Sequence, residues 1–171
     1  MWIRLFLALA CLLNLPTAAQ APDAETVWQT VEAAGLPREL VELRYASGFP
    51  QVAVIGRRMP DATVSLGGVF MGGRYLAPHP ATAEVFSQLD EPQALAWVSQ
   101  VLLAFERPFL SLPDELEGTG VYEAPQVVTD GNSIRVRLWV GDAAAKEYSL
   151  RQYVLSATGY RVTVQKRWKR S

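Results

Sequence analysis

The chain has 171 residues, of which 50% are hydrophobic and 19% charged, and its 16 basic and 17 acidic side chains give a net charge of −1. A chain this apolar can bury a core, which excludes a disordered protein, and the near-zero charge with no dedicated nucleic-acid motif argues against a nucleic-acid binder. The single cysteine excludes a disulfide framework and a cysteine-based metal site.

Residues 1–19 have the pattern of a secretory signal peptide. Arg4 supplies a positive charge, an apolar run covers residues 5–15, and a proline and small residues lead to Ala19. The run is too short for a membrane-spanning helix, which needs about 20 apolar residues. We therefore expect cleavage after Ala19, export to a bacterial periplasm or the medium, and no transmembrane span in the mature chain. A cut after Ala21 and an uncleaved anchor are the alternatives.

Residues 20–171 are predicted to form a single α+β domain. A chain of this length can bury roughly 70% of the surface that it exposes when unfolded. No linker and no repeat of fixed period divides it. After cleavage no cysteine would remain, so stability would come from packing alone.

The first predicted elements are a helix and a β-hairpin. Asp23 is a plausible N-cap for an amphipathic helix over residues 24–34, which Gly35 would end. Residues 41–45 then alternate with period two, and an apolar run over 52–55 follows a turn-rich stretch, which predicts the hairpin.

A third strand and a helical segment follow. Residues 63–70 have strand composition, and the pair Gly67-Gly68 inside them indicates a bulge or a close backbone approach. From residue 82 to residue 106 the apolar period becomes helical. Asp90 and Gln93 form a capping-box pattern for a long helix, whose wide apolar face predicts that a sheet covers it.

The last fifty residues predict a four-stranded antiparallel meander that packs on the long helix. Asp130-Gly131-Asn132 has the composition of a type I′ hairpin turn. Residues 134–140 and 160–165 alternate cleanly, as strands with one buried face do. The strand between them, residues 146–155, changes phase around Arg151-Gln152, which predicts a bulge there.

Side chains with catalytic chemistry are sparse. His79 is the only histidine, and the flanking Pro78 and Pro80 predict an extended, exposed loop. A catalytic triad also needs a nucleophile and an orienting acid, and no serine motif nominates one. One histidine is too few for a histidine zinc site. The acidic group at residues 114–117 is interpreted as a solvated surface, so we predict no catalytic residue, no metal site and no cofactor.

Charge is divided unevenly along the chain. Residues 20–131 carry 6 basic and 15 acidic side chains, a net of −9, whereas residues 132–171 carry 9 basic and 2 acidic, a net of +7. If the meander turns its aliphatic face to the core, cationic side chains and an exposed indole share the outer face. Arginines beside an aromatic ring can bind phosphate, carboxylate or anionic saccharide groups. The candidate ligand-binding residues are Arg135, Arg137, Trp139, Arg161 and Arg167.

One short stretch resembles a known family. The sequence Gln-Val-Val-Thr-Asp-Gly at residues 126–131 resembles the Gln-x-Val-x-Gly inhibitory loop of cystatins. A helix followed by an antiparallel meander is also similar in outline to cystatin-like and nuclear-transport-factor-like folds. Asp130 stands where the motif has glycine, so the resemblance carries no inhibitory role to this chain.

Three functional hypotheses remain. The first is an exported non-catalytic binding or accessory protein that contacts an anionic polymer or protein partner through the basic outer face. The second is a hydrolase or isomerase with a helix–sheet pocket that uses His79 or a carboxylate. The third is a carrier of a small apolar ligand, which predicts a closed cavity lined by Trp, Phe and Leu without titratable groups.

Overall fold

A computed structural model describes residues 20–142 and 146–169, so the predicted signal peptide lies outside the described residues. The predicted α+β class is confirmed, with helices packed on two antiparallel sheets. None of the helices within the described ranges is long and apolar enough to cross a membrane.

The helices and strands have the following bounds. The helices are α1 (Ala24–Ala33), α2 (Pro78–Val85) and α3 (Glu91–Trp97), and α3 continues as a π-helical turn over Val98–Leu102. Sheet A contains β1 (Val41–Tyr45), β2 (Ala53–Arg58), β3 (Val64–Met71) and β4 (Arg74–Leu76). Sheet B contains β5 (Arg107–Phe109), β6 (Gln126–Asp130), β7 (Ser133–Asp142), β8 (Glu147–Ser156) and β9 (Gly159–Lys169). Short 3₁₀ turns cover Arg38–Leu40, Phe86–Gln88 and Asp114–Leu116.

Helix α1 begins where the sequence predicts and covers one face of sheet A. The Thr26 N–H donates to the Asp23 carboxylate at 3.0 Å, which satisfies a free donor of the first turn. Gly35 follows the helix with a φ of +81°, a conformation that favours glycine. The helix buries Val27 and Val31 against Ile55 and other apolar side chains of sheet A.

The glycine pair in β3 marks a bulge and a close approach, as predicted. The register between β2 and β3 shifts after Ile55, which leaves Gly67 as the extra residue. The Tyr75 hydroxyl, from β4, donates to the Gly67 carbonyl oxygen at 2.8 Å. A Cβ atom on Gly68 would overlap the Tyr75 ring, so Tyr75 can pack against the sheet here only because residue 68 is glycine.

The predicted capping box is present, but the helix that it starts is shorter than predicted. The Gln93 N–H donates to Asp90 Oδ1 at 2.8 Å, and the Asp90 N–H donates to Gln93 Oε1 at 3.0 Å. The α-helical turns end at Trp97, and the π-helical turn ends before residue 106. Within that turn the Ser99 hydroxyl donates to the Leu95 carbonyl oxygen at 2.8 Å. In an α-helix this oxygen would accept the hydrogen bond of the Ser99 N–H.

Helices α2 and α3 lie between the two sheets. Trp97 is fully buried at the centre, and its Nε1–H donates to the Thr82 hydroxyl oxygen at 3.1 Å. Val54 of sheet A and Leu138 of sheet B belong to the same apolar cluster. The helical layer is therefore covered on two sides, where the sequence predicts one covering sheet.

The predicted meander is confirmed, and β5 adds a fifth strand. The strands β6, β7, β8 and β9 pair antiparallel in chain order, and β5 pairs with the far end of β7. The predicted turn type is wrong, because the two-residue loop is Gly131-Asn132 and only Gly131 has a positive φ, +56°. Glycine at the first central position fits a type II′ turn.

The bulge in sheet B lies where predicted, but its extra residue is in β9. Strand β8 pairs with β7 without interruption. Between β8 and β9 the register shifts after Leu150, because Arg151 pairs with Val164 whereas Leu150 pairs with Lys166. Gln165 is therefore the extra residue, and the side chains of β9 change faces at this point.

Candidate binding cleft

The two faces of sheet B are defined by what covers them. The inner face packs on the helical layer through Val136, Leu138 and Leu155. The outer face contains the alternate residues of the same strands. Arg135 pairs with Val154, and Val154 pairs with Arg161, so the two arginines share the outer face as predicted.

Arg167 does not share that face, which corrects the sequence-based expectation. Arg167 pairs with Ser149, and Ser149 pairs with the inner-face residue Val140. If side chains alternated strictly over residues 161–167, all four odd-numbered residues would lie on the same face of the sheet. The bulge at Gln165 inserts one residue, so Arg167 turns to the inner side.

The sequence predicts an exposed indole at Trp139, and that prediction is wrong. Its side chain lies on the outer face but is only 1% exposed. It packs in an apolar cluster with Phe109, Leu116 and Leu150. The connection between β5 and β6, residues 110–125, folds over this end of the sheet, and period-two alternation alone does not reveal such a cover. We call residues 110–125 the cover segment.

Two of the outer-face arginines are neutralised by the acidic part of the chain. Arg135 pairs with Asp130 at 2.7 Å and Arg137 pairs with Glu123 of the cover segment at 2.6 Å. Glu123 also pairs with Lys166. The hydrogen bond from Lys166 and the nearby positive charges lower the pKa of the Glu123 carboxyl, against the opposing effect of burial. Of the outer-face arginines of β7 and β9, only Arg161 is left without a carboxylate partner among the described residues.

An open cleft of about 940 Å³ separates the ends of the two sheets. Strands β1 and β3 of sheet A form one wall, and β7, β8 and β9 of sheet B form the other. Residues that follow the π-helical turn close the floor. The lining includes Arg44, Val64, Phe105, Glu106, Arg151 and Arg167.

Several cleft cations are already engaged. The Arg44 guanidinium pairs with Glu42 at 2.9 Å, donates to the Ala104 carbonyl oxygen, and lies 4.6 Å from the centre of the Phe105 ring. A guanidinium held by a carboxylate and an aromatic face is fixed in position. Two further cleft cations are paired in the same way, Arg107 with Glu115 at 2.7 Å and Lys169 with Glu147 at 2.8 Å.

Arg151 anchors a polar network at the back of the cleft. Its guanidinium pairs with Glu106 at 2.6 Å, and its Nε–H donates to the Ser149 hydroxyl oxygen at 3.0 Å. Burial acts to lower the pKa of Arg151, but the Glu106 carboxylate and the Tyr153 hydroxyl outweigh it and raise that pKa. Burial raises the pKa of Tyr153 to about 12, so its phenol stays neutral.

Arg167 is the cleft cation that remains uncommitted. Its side chain is exposed and lines the cleft. No hydrogen bond or ion pair holds it within residues 20–142 and 146–169. A guanidinium presents five donors in a planar fork that matches carboxylate and phosphate oxygens. Arg161, on the outer face of the same strand, also has no ion pair within those ranges.

His79 lies outside the cleft and has a structural contact. The predicted extended loop is wrong, since Pro78 begins α2 and His79 stands exposed in its first turn. The imidazole stacks on the Tyr160 ring at 4.4 Å, and the Tyr160 N–H donates to its Nδ1 at 3.5 Å. His79 therefore joins α2 to the start of β9. The acidic group at 114–117 forms no cluster suited to a metal, and neither do other side chains that the structure describes.

The sequence contained one overlooked signal for the cleft. In β8 the inner-face residues are Ser149, Arg151, Tyr153 and Leu155. Two polar residues at core-facing positions appear as a phase change in a periodicity analysis. They mark the place where the core ends and the cleft begins.

Comparison of the chain with protein-family models, curated proteins and solved structures finds no match.

Proposed function

We propose that this chain is an exported, non-catalytic binding protein that holds an anionic ligand in the cleft between its two sheets. The observation that carries the proposal is Arg167, an uncommitted guanidinium that lines a cleft whose other arginines are held by carboxylates. The cleft volume of about 940 Å³ lies at the upper end of the range for small-ligand sites, about 300–1,000 Å³.

The lining indicates the chemistry of the ligand. Arg167 would bind a carboxylate or phosphate group through paired N–H donors. Val64, Phe105 and Val164 supply apolar surface beside it. A ligand with one anionic group and an apolar portion satisfies both parts of the lining.

The shape and charge of the cleft favour this proposal over the alternatives. A carrier for an apolar ligand needs an enclosed cavity without titratable groups, and this cleft is open and lined by charged side chains. The enzyme hypothesis needs His79 or a carboxylate at a reacting position. His79 is outside the lining, and Glu106 is held by Arg151.

The outer face is a weaker candidate for the same anion chemistry. Arg135 and Arg137 already have carboxylate partners, and Trp139 is covered. An anionic polymer would have to displace Asp130 or Glu123 to reach those guanidinium groups. Export rests on the signal-peptide pattern of residues 1–19.

The proposal is tested by titrating the protein with inorganic phosphate and with benzoate while the side-chain Nε–H signal of Arg167 is followed by NMR. Both anions should shift that signal, and benzylamine, a cation of similar size, should not. Arg167→Ala should raise the dissociation constant for both anions about tenfold, because it removes one charge-assisted contact. Since this variant lacks the Arg167 signal, binding to it is followed through the backbone amide signal of Val164.

The matched control is Arg161→Ala, which removes an unpaired arginine from the same strand but from the other face. It should leave anion affinity within about twofold of the wild type, because its charge is exposed and screened. Equal losses in the two variants would reduce the binding to general charge attraction and contradict a site in the cleft.

A further inference from the structure

Strand β9 forms a free edge of sheet B. In the sheet order β9 is terminal, and among the described residues it pairs with β8 alone. It is eleven residues long, and its positions 161–167 are all exposed. A strand edge of this length offers a row of backbone donors and acceptors for another extended chain.

The contact with His79 fixes which backbone groups point outward. The Tyr160 N–H donates to His79 and therefore points away from β8, so we infer that the pair of Tyr160 with Leu155 is not hydrogen-bonded across the ladder. Antiparallel pairs alternate between the two types. The same type therefore recurs at Val162 and Val164, whose N–H and C=O groups point away from β8.

The side chains on this edge define the chemistry of a partner. Val162 and Val164 are each 45% exposed, and both lie on the inner side, where Val164 lines the cleft. The strand contains no acidic residue, and its four basic residues are Arg161, Lys166, Arg167 and Lys169.

We propose that the edge of β9 accepts an extended acidic segment of another polypeptide as an added strand. Its backbone pairs with Val162 and Val164, and its apolar side chains cover those two valines on the inner side. Its carboxylates alternate with the apolar side chains and therefore lie on the outer side, beside Arg161. The inference does not rest on the proposed anion site, because Arg167 stands on the inner side.

A second copy of this chain is a poorer occupant of the same edge. Pairing β9 with β9 would bring four basic residues of each strand against four of the other, and like charges on neighbouring strands destabilise a sheet. Charges on an edge strand are a known barrier to self-association. The same charges attract an acidic strand.

The direct test uses a capped nine-residue peptide of alternating glutamate and valine, with an alternating lysine and valine peptide as control. Amide hydrogen exchange is measured by NMR on the protein with each peptide. The amides of Arg161 and Thr163 should be protected already in the free protein, through β8. With the glutamate peptide, exchange at Val162 and Val164 should slow at least about tenfold, and the lysine peptide should have no effect.

A variant pair isolates the backbone contact. Val162→Pro removes one outward N–H from an edge position that tolerates proline. It should weaken the binding of the glutamate peptide about tenfold, which is the effect of one lost hydrogen bond. Val162→Thr keeps the N–H and the β-branched shape, and should bind like the wild type. If Val162→Pro fails to fold, the exchange measurement on the wild type still decides.

The outcomes separate this inference from the anion site. Peptide binding without protection of Val162 and Val164 would overturn strand addition, even if Arg167→Ala abolishes phosphate binding. Protection of both amides with unchanged phosphate affinity in Arg167→Ala would overturn the anion site and keep the strand addition. Protection that grows with protein concentration in the absence of peptide would identify a second copy as the occupant and overturn the acidic partner.

Discussion

The two ends of sheet B use the same strands in opposite ways. Where β7 pairs with β6, the outer face is open to solvent and carries Arg135, and the inner face packs into the core through Ile134 and Val136. Where β7 pairs with β5, the outer face is covered and buries Trp139. There the inner face opens on the cleft, with Arg151 in its lining.

The difference arises from what lies above and below the sheet. Alternation decides only the side of the sheet on which a residue stands. Whether that side is buried depends on the cover segment and on the end of the helical layer. Charged and apolar residues therefore exchange faces along the strands, and the candidate binding cleft lies where the inner face loses its cover.

The largest expected effect comes from breaking the covered end. Trp139→Ala should lower the free energy of unfolding by about 3–5 kcal/mol, because it leaves a cavity under the cover segment. Arg135→Ala, on the same strand and face at the open end, should change it by less than about 1 kcal/mol. Urea denaturation followed by circular dichroism measures both, and similar losses would contradict the difference between the ends.

A smaller effect is expected from the carboxylate that fastens the cover segment to the sheet. Glu123 holds Arg137 and Lys166, so Glu123→Gln should destabilise the protein by about 1 kcal/mol at pH 7. The folded-state pKa of Glu123 lies below its ordinary value of 4.5. Its contribution is therefore complete above that value and is lost as the pH falls through the lower, folded-state pKa.

The pH dependence supplies the control for this experiment. Denaturation curves of the wild type and of Glu123→Gln should differ at pH 7 and converge as the pH falls below the folded-state pKa of Glu123, because the wild-type carboxyl is then also neutral. A difference that stays constant over this range would mean that Glu123 acts through its shape and not through its charge.

The smallest effect concerns the open end of the outer face. Arg161→Ala should elute from a heparin column at lower salt than the wild type, because Arg161 has no ion pair among the described residues. The double variant Arg135→Ala with Asp130→Asn removes an ion pair without changing the net charge. It should elute with the wild type, and an earlier elution than Arg161→Ala would mean that the paired arginine makes the contact.

Much of the fold follows from local signals in the sequence. Asp23 starts α1, the box of Asp90 and Gln93 starts α3, and the glycine pair in β3 marks its bulge. Each of these is a short-range hydrogen bond or steric requirement, so neighbouring residues suffice to predict it. The turn and alternation signals of residues 126–169 likewise predict the order of strands in the meander.

The candidate site was harder to predict because it depends on contacts between distant segments. The faces of Arg135 and Arg161 follow from alternation, but one inserted residue, Gln165, reversed the face of Arg167. The cover over Trp139 comes from residues 110–125, which have no regular period. The cleft joins two sheets that are far apart in the chain.

The α+β class, the division of charge, and the starts of helices and hairpins follow from the sequence, because caps, turns and periodicity act over a few residues. Which charges are paired depends on the folded chain. The fold pairs Arg137 and Arg151 with the distant carboxylates of Glu123 and Glu106, and among the described residues it leaves Arg167 without a carboxylate. Whether an arginine is neutralised depends on which acid the fold brings within about 4 Å, and a linear sequence does not contain that distance.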